Sequence, residues 1–184
     1  MLYDLGRADL RIKWLVTCLL ATLGISYLFG ALMVSLYAGF TPERVAATYG
    51  GGRAMSMPMP PETTMVMEHP MSMADFAAPE VHEVDTNLLI QDTHVHVPMY
   101  GVIAAALSLV VAGLSLSRGW ALALITLLFS APWLDFAGMW LTKLVSARFA
   151  AVTLIGGWAM GLGYLIVTAL AIHQMWLRAR GVVR

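Results

Sequence analysis

Charge vanishes from this chain in long blocks. No Asp, Glu, Lys or Arg occurs from Trp14 to Ala38, from Val97 to Ser117, or from Phe149 to Trp176. Between the last two blocks, Gly119 to Thr142 carries a single acid, Asp135. A bilayer core of about 30 Å takes roughly 20 apolar residues in a helix. The pattern predicts an all-α membrane protein with four transmembrane helices: one over 14–39 and a three-helix bundle over 97–177. Residues 1–13 read as an amphipathic cytoplasmic lead-in whose Arg and Lys side chains snorkel to the headgroups. Residues 40–96 read as a long loop and 178–184 as a basic tail. The uncharged first block is too long for a removable signal peptide.

An even number of spans puts both termini on one side. That side carries Arg7, Arg11, Lys13, Arg118, Arg178, Arg180 and Arg184, against Arg44, Arg53, Lys143 and Arg148 on the other. The excess places the N and C termini in the cytoplasm and the loop in the periplasm, across a bacterial inner membrane. The loop holds Glu43, Glu62, Glu68, Asp75, Glu80, Glu83, Asp85 and Asp92 against two arginines, although the whole chain has a formal charge of +0. Such a face attracts cations or a basic soluble electron carrier; a solvated topology-obeying loop is the plainer reading.

Composition agrees. The apolar fraction is 59% and only 12% of residues are charged, against about 45–50% and about 25% in soluble domains. The single cysteine, Cys18, lies inside the first span and excludes a disulfide framework or a thiolate cluster. There is no P-loop, no Ser–His–Asp spacing and no internal repeat, and nothing points to nucleic acid. Only Arg118–Gly119 separates spans two and three in this reading, and Thr142–Arg148 separates three and four. Short connections make these spans antiparallel neighbours. In span four, Gly157-x-x-x-Gly161 forms a small-residue face for close helix approach, within this bundle or against another subunit.

The strongest local signal is THVHVPMYG, Thr93 to Gly101. Proline fits the first turn of a helix, so Pro98 predicts that the second span begins there and that His94 and His96 precede it. In an extended segment these side chains share a side and can hold one metal. Asp135 falls at the same membrane level on the neighbouring span, and an intramembrane carboxylate usually has a functional or pairing role. His94, His96 and Asp135 therefore form a candidate metal group. The competing reading is a structural bond from Asp135 to Lys143, Arg148, Trp140 or a histidine.

The string His94-x-His96-x-x-x-x-Gly101 resembles the His-x-His-x-x-x-x-Gly segment of haem–copper-oxidase-subunit-I-like membrane proteins, including the NnrS type. The resemblance implies a histidine placed to bind haem or copper near the periplasmic face. A second haem ligand would come from Met99, from His69 or His82, or from another chain; His173 falls at the cytoplasmic end.

A third candidate is the stretch MSMPMPPETTMVMEHPMSM, residues 55–73, with seven of the chain's thirteen methionines. Thioether sulfur favours Cu(I). Met65, Met67, His69, Met71 and Met73 alternate, which would place them on one face of a strand. The interspersed prolines favour a PPII-like path instead, and with it a strap over an apolar groove. Three functions stay open: an accessory or electron-transfer subunit of a larger respiratory or photosynthetic membrane complex, a periplasm-facing Cu(I)-binding protein for delivery or sensing, and a small membrane haem or metal oxidoreductase. The absence of a complete catalytic set favours the first, with other membrane subunits and the lipid bilayer as partners.

Overall fold

The computed structural model describes residues 4–50 and 84–177, and among these every regular element is helical. The helices are α1 (Leu10–Tyr37), α2 (Pro42–Tyr49), α3 (Thr86–Ala112), α4 (Arg118–Leu144) and α5 (Ala150–Ile172). A 3-10 turn, Leu5–Arg7, precedes α1; another, Ala147–Phe149, leads into α5; a π turn, His173–Leu177, follows it. Four helical segments are long and apolar enough to cross a membrane: α1, α3, α4, and the run from Ala147 to Leu177. At about 1.5 Å per residue each exceeds the apolar thickness of a bilayer.

α1 starts at Leu10, four residues before the expected span, with Lys13 buried instead of snorkelling, and two other boundaries depart further from the sequence reading. The second span begins twelve residues earlier than Pro98, at Thr86, because Asp85 caps it by accepting from Asn87 N. Pro98 is then inside the helix, where it removes one backbone donor and leaves the carbonyl of His94 without its usual partner. Packing compensates: Leu89 is fully buried against Phe136 and Met139, and Trp140 Nε1 donates to Thr93 Oγ1 at 3.0 Å. The α3–α4 turn is also longer than expected, Gly113 to Ser117, because Ser117 caps α4 at Trp120 N. The connection after α1 contains α2, signalled by Thr41 as N-cap and Pro42 in the first turn.

Helices α4 and α5 form the tightest pair. A Cβ on Gly156 would stand 2.3 Å from the backbone nitrogen of Asp135, and one on Gly138 would stand 2.3 Å from that of Thr153. Small residues allow this approach where a side chain would force the helices apart. Gly163 does the same more loosely against Leu128. The close-approach glycines are thus Gly138, Gly156 and Gly163. Gly157 and Gly161 turn elsewhere, and nothing lies within 4 Å of a Cβ built on Gly161.

A shared apolar core, with Val16, Leu20, Leu107, Val111, Leu128 and Val167 among its members, joins all four spans in the half of the bundle near the described ends of the chain. This terminal end is also tied by polar contacts. Lys13, only 1% exposed, donates from Nζ to Gly6 O at 2.8 Å and Met175 O at 3.1 Å. Leu5 N donates to Gly113 O, Ser115 N to Gln174 Oε1, and Trp176 Nε1 to Thr17 Oγ1. The loop end is looser. From Leu28 to Tyr37 every residue of α1 except half-buried Ser35 is exposed. α1 rejoins the bundle only past its end, where Phe40 meets Trp158 with ring centroids 5.9 Å apart and Thr48 Oγ1 donates to Tyr37 O.

Two outcomes test this packing. Gly156→Ala should destabilise the detergent-solubilised protein by about 1–3 kcal/mol through overpacking against backbone, whereas Gly161→Ala should stay within about 0.5 kcal/mol of the parent. Equal effects in a thermal or SDS unfolding titration would contradict the α4–α5 contact. Lys13→Met should leave two buried carbonyls unsatisfied and cost about 1–3 kcal/mol, read in the same titration; an unchanged midpoint would remove the polar tie from the account.

Candidate functional site

At the loop end, α2, α3, α4 and α5 converge on one carboxylate. Asp135 lies nine residues before the end of α4, about 13 Å along the helix, so it sits within the apolar span. α5 brings two glycines against it: Gly156 touches its backbone, and a Cβ on Gly157 would meet Oδ1 at 4.0 Å. On the α3 side the His96 imidazole lies near enough that its charge, when the ring is doubly protonated, acts on it. The carboxylate itself acts on Tyr100 of α3 and on Tyr49 of α2. Tyr100 joins the group to the apolar packing, with ring centroids 5.9 Å from His96 and 5.8 Å from Phe136. Among the described residues, Asp135 has no hydrogen-bond or ion-pair partner.

The structural bonds expected of Asp135 are made by other groups. Trp140 donates to Thr93. Lys143 Nζ donates to Val84 O at 2.8 Å, which holds the start of α3 to the end of α4. Val84 N in turn donates to Thr48 O of α2. These contacts explain why α3 starts where it does: its first turns are clamped by α2 and α4.

His94 and His96 do not share a side. Both lie inside α3, where two residues differ by about 200° around the axis. The extended geometry that would let them grip one ion is absent, and the reason is the early helix start at Asp85. Both imidazoles are exposed, and that of His96 lies near enough to Asp135 for its charge to act on it. The His96 Nδ1 lies 2.9 Å from Asp92 O. A carbonyl only accepts, so Nδ1 carries the proton and Nε2 keeps its lone pair. This cluster therefore offers one imidazole nitrogen and one carboxylate, fewer than the three or four protein ligands of a typical zinc or copper centre. No group of three or more His, Cys, Asp or Glu side chains gathers among the described residues. Met65, Met67, His69, Met71 and Met73, with His82, lie outside the described residues. His173 is exposed at the terminal end.

The sequence reading missed Tyr49 and set Tyr100 only near the histidines, without a role. Tyr49 hangs from α2, a helix whose Thr41–Pro42–Glu43 start was legible as a cap. Tyr100 follows His96 by one helical turn, a spacing that is informative only once Pro98 is known to be interior. Beside Tyr100, on the α3–α4 side, is an apolar cleft of about 290 Å³ lined by Gly101, Phe129, Pro132, Trp133 and Phe136 among others. A second ring pair, Tyr27 and Tyr164 at 4.7 Å, stacks below, and Tyr164 donates to Leu20 O at 2.7 Å.

Burial, and then the negative charges of Asp135 and Asp92, push the Tyr49 phenol up to about 12. The raised value means the fold favours neutral Tyr49. Its contribution to stability is complete below the ordinary tyrosine value of about 10 and is lost as pH rises from there through about 12. In ¹³C-tyrosine NMR, with Tyr49→Phe for assignment, this resonance should titrate well after those of exposed tyrosines. Asp135→Asn should move it back toward 10 without reaching it, since burial is the larger cause. A Tyr49 that ionises with the exposed tyrosines would show that it is not packed in this cluster.

Comparison with known proteins adds one match. A family model described as a transmembrane helical domain, Aq_1264_TM, matches residues 39–181, which takes in α2 to α5. No curated protein and no solved structure matches the chain. The match and the four apolar helices together make this a multi-pass membrane protein whose spans contact the lipid bilayer.

Proposed function

The chain belongs to the Aq_1264_TM family of transmembrane helical domains, and from that premise we propose that it is an accessory or electron-transfer subunit of a larger bacterial inner-membrane complex, respiratory or photosynthetic. One observation carries the reading: the face with Gly157 and Gly161 is not consumed by the chain's own packing. Its own close contacts use Gly24, Gly138, Gly156 and Gly163. A small-residue face left open at membrane depth favours the close approach of a foreign helix, because in lipid the gain comes from packing and not from the hydrophobic effect. The basic residues at the terminal end support cytoplasmic termini in this assembly, with the acidic connection in the periplasm. There it is available to a basic soluble electron carrier.

The readings with a self-contained copper or haem centre have less support in the described part of the chain, since His94 and His96 diverge. Any metal at this mouth would draw further ligands from outside the described residues or from another subunit. Mild-detergent extraction followed by native electrophoresis should give a particle well above the 20.0 kDa of the chain. Gly161→Leu should release the chain from it while circular dichroism stays unchanged. Met→Leu at 65, 67, 71 and 73 should leave assembly intact. A monodisperse 20.0 kDa chain that holds stoichiometric copper, lost on those Met→Leu changes, would replace the subunit reading with the copper one.

A further inference from the structure

The open small-residue face and the unpaired carboxylate are one surface. The single neighbour within 4.0 Å of a Cβ on Gly157 is Asp135 Oδ1, and Gly161 continues the same face one turn along. Tyr164, three residues further, stacks on Tyr27 and closes the face below. Above it sits Tyr49 on α2. α1 does not cover this level, since it is exposed on nearly all sides from Leu28 to Tyr37. We propose that this face of α5, beside Asp135, seats a membrane segment of another subunit that carries a lysine or arginine opposite the Asp135 carboxylate.

Charge complementarity selects the occupant. A carboxylate in hydrocarbon is costly, and such groups pair with a cation or line a functional pathway. Among the described residues, those whose charge couples to Asp135 are His96 and Tyr100 from α3 and Tyr49 from α2, and Gly156 and Gly157 of α5 lie against it. None is a permanent cation. A second copy in the same orientation brings none of its described cations to this level. Arg11, Lys13 and Arg118 lie at the terminal end, with Lys13 spent on the carbonyls of Gly6 and Met175; Arg44 and Arg148 lie at the loop end, Arg148 eight residues before Gly156, about 12 Å along the helix. Lys143 is held at Val84 O, two turns beyond Asp135. A lipid acyl chain satisfies Gly157 and Gly161 but not the carboxylate. Arginine has the better geometry of the two candidate cations, because its fork binds a carboxylate through two parallel hydrogen bonds.

This inference rests on the subunit reading, and its test separates the two. A photo-crosslinking residue is placed at the exposed Leu32 in the native complex, and the attached peptide is mapped by mass spectrometry. The expected peptide belongs to another protein and carries Lys or Arg within an apolar span. Asp135→Asn should raise the dissociation rate of the complex on the order of tenfold or more, as loss of one partner of a buried charge pair does. Asp135→Arg combined with an acidic residue at the mapped position should restore it. Crosslinks only to lipid, within the chain, or to a second copy would overturn the inference, as would a complex indifferent to Asp135→Asn; in each case the larger particle persists and the subunit reading stands. Absence of any larger particle would defeat the subunit reading itself and this inference with it.

Discussion

The contact of Gly156 with the backbone of Asp135 fixes the rest of this end of the molecule. Two helix backbones meet so closely there that no side chain fits between them. Dispersion and close packing, the main sources of helix association in lipid, are strongest in such contacts. The cost is local. With glycine at 156 and 157 against it, the carboxylate receives no hydrogen bond from the described residues of α5. Asp135 is left to face His96, Tyr100 and Tyr49, held by two other helices. A chemically unusual group therefore arises from a packing requirement one residue away.

The two ends of the bundle solve the same problem differently. Backbone groups that lose their helical partners need others, and near a membrane water supplies them only at the surface. At the terminal end the chain uses its own donors: Lys13, Gln174 and the backbone of Leu5 and Ser115 tie α1, the α3–α4 turn and the end of α5 together. At the loop end α2 does comparable work for α3 and α4 through Thr48, Val84 and Lys143. α1 takes no part in that arrangement until Phe40. It is anchored at one end and diverges at the other, and the surface beside Asp135 is open as a consequence.

Prolines mark where local sequence preference and tertiary structure compete. Pro98 reads locally as a helix start, and on that basis His94 and His96 would precede the span and face one way. The fold overrides it, because Asp85 caps an earlier start and Leu89 and Thr93 bind the extra turns to α4. Loss of one hydrogen bond at Pro98 is outweighed by three further turns of packed helix. His94 and His96 are thereby set about 200° apart around α3, both exposed. Pro132 likewise sits inside α4, beside the cleft between α3 and α4.

Sequence alone determined the class of molecule: charge-free blocks of span length fix four apolar helices, since the bilayer sets the length and excludes charge. It also singled out Asp135, because an acid inside such a block is conspicuous wherever the helix packs. It could not determine which glycines meet a neighbour. Gly156 and Gly157 are equivalent in composition, and only the rotation of α5 against α4 decides that one is buried on Asp135 and the other left open. The same holds for the histidines, whose direction follows from a helix start set by residues of α2 and α4. Periodicity specifies a helix and its apolar character; the angle at which it meets its neighbours depends on contacts between distant parts of the chain, and those contacts decide what surrounds the carboxylate.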